Sequence, residues 1–223
     1  MNSGRRRFLG AIAGTAATVL LPRSAQAATV RGADTWLPWS MLPPESLAVG
    51  NVQGDVAPSL LSRALSALDT HSARITDRSV IGVVDFSAPS RTQRMHIVDL
   101  AGGRILSSHL VAHGRGSDPA NSGWVEHLSN RVGSEASCSG SFVIGDTYHG
   151  KHGLSRRILG LDPENDQAEV RGIVIHAASY VGSDFLSEYG RIGRSQGCFA
   201  VSGSEIDTVL QQLGPGRLLF AAR

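Results

Sequence analysis

Polar and apolar positions change their period along the chain. From Pro58 to about Ser72, Leu60, Leu61, Ala64, Leu65 and Leu68 recur at helical spacing, which predicts one amphipathic helix. Beyond it the period shortens to that of strands. Val80–Phe86, Arg94–Asp99 and Arg104–Val111 are short β-type runs, separated by turn signals at Pro89-Ser90 and Gly102-Gly103. Ser141–Ile144 and Gly172–His176 are two more. Ser183–Tyr189, closed by Gly190, reads as a short helix with a serine cap. Ser204–Leu213 reads as another, before Gly214-Pro215-Gly216 and a terminal strand, Arg217–Ala221. No internal repeat is visible. The sum is a mainly β domain with a few peripheral helices.

The first 54 residues follow a different logic. Arg5-Arg6-Arg7 precedes an uncharged, mostly apolar stretch from Phe8 to Leu21, and Ser24-Ala25-Gln26-Ala27 supplies an A-x-A cleavage site. Residues 1–27 therefore read as a signal peptide, since the apolar stretch is too short for a comfortable membrane span. Arg5-Arg6-x-Phe8-Leu9 further resembles a twin-arginine export signal, which places the protein in the periplasm or cell envelope. Residues 28–54, with Pro38, Pro43, Pro44, Trp36 and Trp39 but no periodicity, read as an irregular arm or linker. The folded domain is expected over 55–223.

Composition sharpens this division. Apolar residues make up 41% of the 223 and charged residues 18%, enough apolar surface for a core and too little charge for disorder. The formal charge of +2, from 21 bases and 19 acids, hides an asymmetry. Arg5, Arg6, Arg7 and Arg23 belong to the signal, so the chain from Ala28 carries 17 bases against 19 acids, a charge of −2. Nucleic-acid binding thereby loses its electrostatic support. No later segment is long and apolar enough to span a membrane.

Candidate chemistry centres on the two cysteines, Cys138 and Cys198. In an exported protein a disulfide is one reading, leaving a non-catalytic wall-binding or structural protein. The surroundings of Cys198 suggest another. Gly193-Arg194-Ser195-Gln196-Gly197-Cys198 is a glycine-punctuated turn entering the apolar run Phe199-Ala200-Val201, and such a turn can present a sulfur to a cleft with backbone N–H groups beside it. A thiol of pKa about 8.5 needs a base or positive potential nearby. His176, at a strand end, is the best candidate base, and no Asp or Asn near either residue is an obvious third member. A backbone carbonyl such as that of Ala177 can orient the imidazole instead. His109-x-x-x-His113 and His149-x-x-His152 have spacings that suit zinc on a helix, but a strand and a glycine-rich turn give neither pair that register. No metal and no cofactor are expected.

The stretch from His176 to Cys198 resembles the signature of YkuD-type L,D-transpeptidases, and the chain is similar to their murein L,D-transpeptidase catalytic domain branch over roughly 55–223. Asp85–Ser90, Val111–Ser117, Ser139–Phe142, Tyr148–Gly153 and Gly190–Cys198 look like its blocks, in order. The resemblance implies a β-sandwich with peripheral helices, and a Cys198 nucleophile served by His176. It implies an acyl transfer through a thioester, from a peptidoglycan stem tetrapeptide to an amine (a 3→3 cross-link) or to water (carboxypeptidase action). Carbapenem-type β-lactams are implied covalent inhibitors. Gly197 and Cys198 N–H groups are oxyanion candidates, and Arg191, Arg194 and Ser195 candidate substrate contacts. His113, Lys151 and His152 are expected to line or support the cleft, and Tyr148 to do so or to serve as a core aromatic. One departure stands out: the common pattern has His where this chain has Gln196, which cannot take a proton at neutral pH.

Overall fold

The computed structural model describes residues 56–223, so the signal peptide and arm expected over 1–27 and 28–54 lie outside the described residues. Helix α1 spans Pro58–Thr70, with proline in its first turn, where a missing N–H costs nothing. Leu60, Leu61, Ala64, Ala67 and Leu68 form its buried face. Eight strands follow: β1 Val80–Asp85, β2 Met95–Asp99, β3 Arg104–His109, β4 Gly140–Gly150, β5 Gly153–Gly160, β6 Val174–Ala177, β7 Phe199–Val201 and β8 Leu218–Ala222. Two short helices, α2 Ser183–Tyr189 and α3 Ile206–Gln212, flank β7. Among the described residues the fold is mainly β, with three α-helices and one short 3-10 turn at Arg115–Ser117.

The strands form one sheet in the order β3-β2-β1-β8-β4-β5-β6-β7. Pairs β1–β8 and β6–β7 are parallel, and the rest are antiparallel. Beyond β3 the chain runs on to bridge Ala112 to Ala200 and Gly114 to Ser195, so the two edges of the sheet meet. The rolled sheet encloses an inner core. Alternation in the central strands serves two cores at once: Val80, Val84, Leu219 and Ala221 face the inner one, with α3. Ile81, Val83, Leu218 and Phe220 face the outer one, beneath α1. This is why β1 and β8 read as nearly continuous apolar runs. At the centre of the inner core Phe199 stacks on Phe86 (5.9 Å between centroids) and meets Phe142 edge-on (5.5 Å).

Two expectations need correction. Ser183 does not cap α2: Gly182 occupies the N-cap position, and the Ser183 hydroxyl donates to the Asp184 carboxylate. The strand expected over 141–144 is the first part of an eleven-residue strand, and β5 was not anticipated at all. Thr147↔Arg156, Tyr148↔Ser155 and His149↔Leu154 pair in a hairpin whose two-residue tip is Lys151-His152, flanked by paired Gly150 and Gly153. Its polar side chains carry no alternation because backbone pairing holds it, with the Arg157 guanidinium over the Tyr148 ring at 4.6 Å.

A buried polar network fixes the segment that closes the sheet. Arg94 is fully buried, and its donors go to the carbonyls of Val111 (2.9 and 3.1 Å) and Ala88 (2.8 Å) and to His113 Nδ1 (2.7 Å). With Nδ1 accepting, His113 Nε2–H faces the Asp118 carboxylate at 3.2 Å. Asp118 also accepts the N–H groups of Ser122 (2.7 Å) and Gly123 (2.8 Å). The nucleophile loop docks on this template: Ser195 N–H donates to the His113 carbonyl at 2.9 Å, and Arg115 N–H to the Ser195 carbonyl at 2.8 Å.

Replacing Phe199 by Ala should lower the unfolding free energy by about 3–5 kcal/mol, read from urea denaturation, because it removes the ring joining both halves of the inner core. Burial, reinforced by the Arg94 charge and opposed by Asp118, pulls His113 down to about 4. Between pH 6.5 and about 4 the unfolded chain binds a proton at His113 that the folded chain excludes. Stability should therefore fall as pH drops through that window, by on the order of 3 kcal/mol in full. Urea midpoints at about pH 7.5 and about pH 5 measure this, and His113→Gln should flatten the difference.

Candidate active site

Cys198 sits where the docked loop turns into β7. The turn needs glycine at 197: φ is +113°, and a Cβ would stand 2.8 Å from the Ala136 carbonyl oxygen. Buried Ser195 braces it from within, its hydroxyl donating to the Cys198 carbonyl (2.7 Å) and accepting the Gly197 N–H (3.1 Å). Ser137, also buried, binds the Gly197 carbonyl (3.4 Å) and the Gly114 N–H (3.0 Å). A partly exposed thiol is thus carried on a rigid backbone. The thiol contacts the Gly172 carbonyl at 3.6 Å.

His176 lies on the neighbouring parallel strand, in register with Ala200. Its Nδ1 is 2.8 Å from the Ala177 carbonyl, which makes Nδ1 the protonated nitrogen and leaves Nε2 as the basic one. The ring stacks on His152 from the hairpin tip, with centroids 4.1 Å apart and planes 20° from parallel. Burial lowers the imidazole below its ordinary value of 6.5; the Ala177 carbonyl opposes this, and His152 and Lys151 add to it. Burial likewise raises the Cys198 thiol, against the Val174 N–H and the charges of Lys151 and Arg171. At neutral pH the resting pair is therefore a thiol beside a neutral imidazole, an arrangement for general-base activation of the sulfur.

One cleft of about 930 Å³ gathers Cys198, His176, Tyr148, Lys151, His152 and Arg194. Ser195 reaches it too, although its hydroxyl is occupied within the turn. Exposed Gln196 stands on the same wall, with no titrating role open to it. Four cations, Arg115, Lys151, Arg171 and Arg194, face a single carboxylate, Glu135, so the cleft is positive although the chain from Ala28 is not.

Three expected site residues lie elsewhere. The Gly197 N–H, expected to face an oxyanion, is already taken by Ser195. Arg191 donates to the Tyr189 carbonyl (3.1 Å) and packs against Gly123, outside the cleft lining. His113 is wholly buried behind the nucleophile loop, where it supports the site without reaching a ligand.

Among the cleft residues outside the expected set, Arg171 and Tyr180 lie within reach of the nucleophile's field. Arg171 donates to the Ser129 carbonyl (2.7 Å) and to that of Ala136, and its charge acts on both Cys198 and Cys138. Tyr180 also faces the cleft, and its phenol is pushed up to about 12 by burial and by its nearness to Cys198. Both stand on irregular segments flanking β6, where no period marks them. Cys138 is buried, its thiol raised by burial, and both cysteines are free; the Cys138–Cys198 disulfide of the alternative reading is not formed. His109 turns to Ser107 (2.8 Å) and Glu205 (3.2 Å), away from the partners of His113.

The chain has distant similarity to several solved structures. The L,D-transpeptidase from Mycobacterium smegmatis is 13% identical, over 65% of this chain and 59% of its own, with a TM-score of 0.41. L,D-transpeptidase 3 from Mycobacterium tuberculosis, in complex with a faropenem-derived adduct, is 12% identical over 65% and 60%, with a TM-score of 0.43. An L,D-transpeptidase from Xylanimonas cellulosilytica is 14% identical over 79% and 78%, with a TM-score of 0.38. The chain thus spans about three fifths of the length of the first two. No curated protein matches it. The assignment rests on the family model described as L,D-transpeptidase catalytic domain, which matches residues 52–222. Spanning most of the sequence and the whole of the rolled sheet, that match establishes that the chain belongs to the L,D-transpeptidase catalytic domain family.

Proposed function

We propose that the protein is an exported, cysteine-dependent L,D-transpeptidase acting on peptidoglycan stem tetrapeptides. The observation that carries this reading is the sharing of one cationic cleft by Cys198, in the turn that leads into β7, and His176, on the adjacent parallel strand β6. In the first half-reaction His176 Nε2 takes the thiol proton as the sulfur attacks the carbonyl of the third stem residue. The tetrahedral oxyanion is held by the Cys198 N–H, since that of Gly197 is engaged. Collapse breaks the peptide bond, the D-alanine nitrogen takes the proton from His176, and a thioester remains. An amine from a neighbouring stem then attacks the thioester, giving its proton to His176 and restoring the thiol. A 3→3 cross-link results. Water in place of the amine gives a tripeptide, and the balance of the two sets the carboxypeptidase share. The export signal in residues 1–27 puts this chemistry in the periplasm or cell envelope, by the twin-arginine route.

The positive cleft supports an anionic donor, as stem peptides bearing free carboxylates are. A carbapenem, which also presents an activated carbonyl and a carboxylate, is expected to acylate Cys198. Intact mass spectrometry of the folded protein should show one covalent adduct that Cys198→Ser lacks, and muropeptide analysis should show 3→3 dimers or tripeptides. Zero adduct together with unchanged muropeptides would sink the reading.

The resting protonation states also set a pH profile. Acylation should reach half its plateau below pH 6.5, where neutral His176 is regained. His176→Gln should cost roughly 10²–10⁴-fold at neutral pH. Its residual rate should keep climbing past pH 9, following direct ionisation of a thiol raised by burial.

A further inference from the structure

The cations of the cleft differ in what their donors already hold. Arg115 is paired through Nε and Nη2 with both oxygens of Glu135. Arg171 spends Nη1 on the Ser129 carbonyl and Nη2 on that of Ala136. Arg194 ties its Nη1 to the Asp118 carbonyl, in the template behind the loop. Lys151 is the exception. Exposed at the two-residue tip of the β4–β5 hairpin, its ammonium has no hydrogen-bonding or ionic partner among the described residues. It is also the only lysine in the sequence.

Its position is specific. The hairpin tip that carries it also lays His152 on the His176 ring at 4.1 Å. Lys151 lines the same cleft as Cys198 and His176, next in sequence to the His152 that stacks on His176, and its charge is felt at all three groups. Glu135, the one carboxylate of the lining, is held by Arg115 and leaves Lys151 uncompensated. A compact point charge on a flexible stem suits a small carboxylate that must be released after each turnover, where a bidentate arginine clamp would hold it.

Building on the functional reading above, we propose that Lys151 is the specificity-determining residue that binds the α-carboxylate of the residue expelled from the donor. That carboxylate lies one Cα beyond the scissile nitrogen, so a cation near both Cys198 and His176 meets it only when the scissile bond is the last in the stem. Lys151 thereby selects donors ending one residue past the cleavage point and disfavours longer or amidated ones. The pairing changes no bond; when the peptide bond breaks, the expelled residue takes its proton from His176 and departs with its carboxylate, and Lys151 stays an ammonium throughout.

The test uses two synthetic tetrapeptide donors, one a C-terminal free acid and one its amide, with the same acceptor amine. Wild-type protein should favour the free acid in kcat/KM by roughly 10- to 100-fold, the scale of a charge-assisted contact. Lys151→Met should reduce that preference to about threefold or less, and Lys151→Arg should restore most of it. Alkylation of Cys198 by uncharged iodoacetamide reads thiol activation separately: losing the Lys151 charge slows it in Lys151→Met, but this acts equally on both donors and leaves their ratio, the quantity that reports carboxylate binding, unaffected. A preference that survives Lys151→Met overturns the proposal. So does an equal loss on both donors matched by slower alkylation, which would leave Lys151 an activator of the thiol alone. Wild-type protein that turns over neither donor, with Cys198 still alkylated, overturns the functional reading itself and this inference with it.

Discussion

A guanidinium sealed away from water must spend its donors inside the protein, and Arg94 accepts that constraint at the point where the sheet closes on itself. Its forked donors collect the carbonyls of Ala88 and Val111 and the ring of His113, so the turn after β1 and the segment beyond β3 are held by one planar group. Because His113 is bound through its ring, its own carbonyl is fixed in place to receive Ser195. The nucleophile is therefore positioned from behind, by a buried polar network, while its front remains open to the cleft. Removing one member would leave the others buried without partners, which costs more than any single contact contributes.

Charge is distributed with the same economy. The chain from Ala28 carries a slight negative excess, yet the cleft wall gathers four cations against one carboxylate. Most of those cations are fastened to backbone carbonyls or to Glu135, which holds their charge near the thiol without leaving it free to swing. Net charge thus gives little account of what the cleft favours; the local field does.

How much of this was legible in sequence depended on what held each element. Helix α1 buries one face and shows a helical period, while β1 and β8, buried on both faces, stand out as short continuous apolar runs. The outer half of the β4–β5 hairpin is held by backbone pairing and is mostly polar, and the adjacent Ile158 and Leu159 of β5 serve different cores, so no period betrays it. At the site, Cys198 and His176 stood out because a glycine-framed turn and a strand end are local features with their own chemistry. Arg171 and Tyr180 reach the cleft from irregular segments, and only the folded path of the chain brings them there. His113 misled in the opposite direction: its neighbours in sequence look like a site block, while its side chain serves the wall behind the site.

The place of β8 has a consequence for how the protein is made. It is the last strand in chain order, yet it lies in the middle of the sheet, parallel to β1 and antiparallel to β4. Until residues 218–222 are available, β1–β3 and β4–β7 have no common edge, and the inner core lacks Leu219 and Ala221. Pairing strands so distant in sequence is slow, because loop closure must precede any gain from contact. The two parts of the sheet can therefore be joined through β8 only after residues 218–222 have been synthesised.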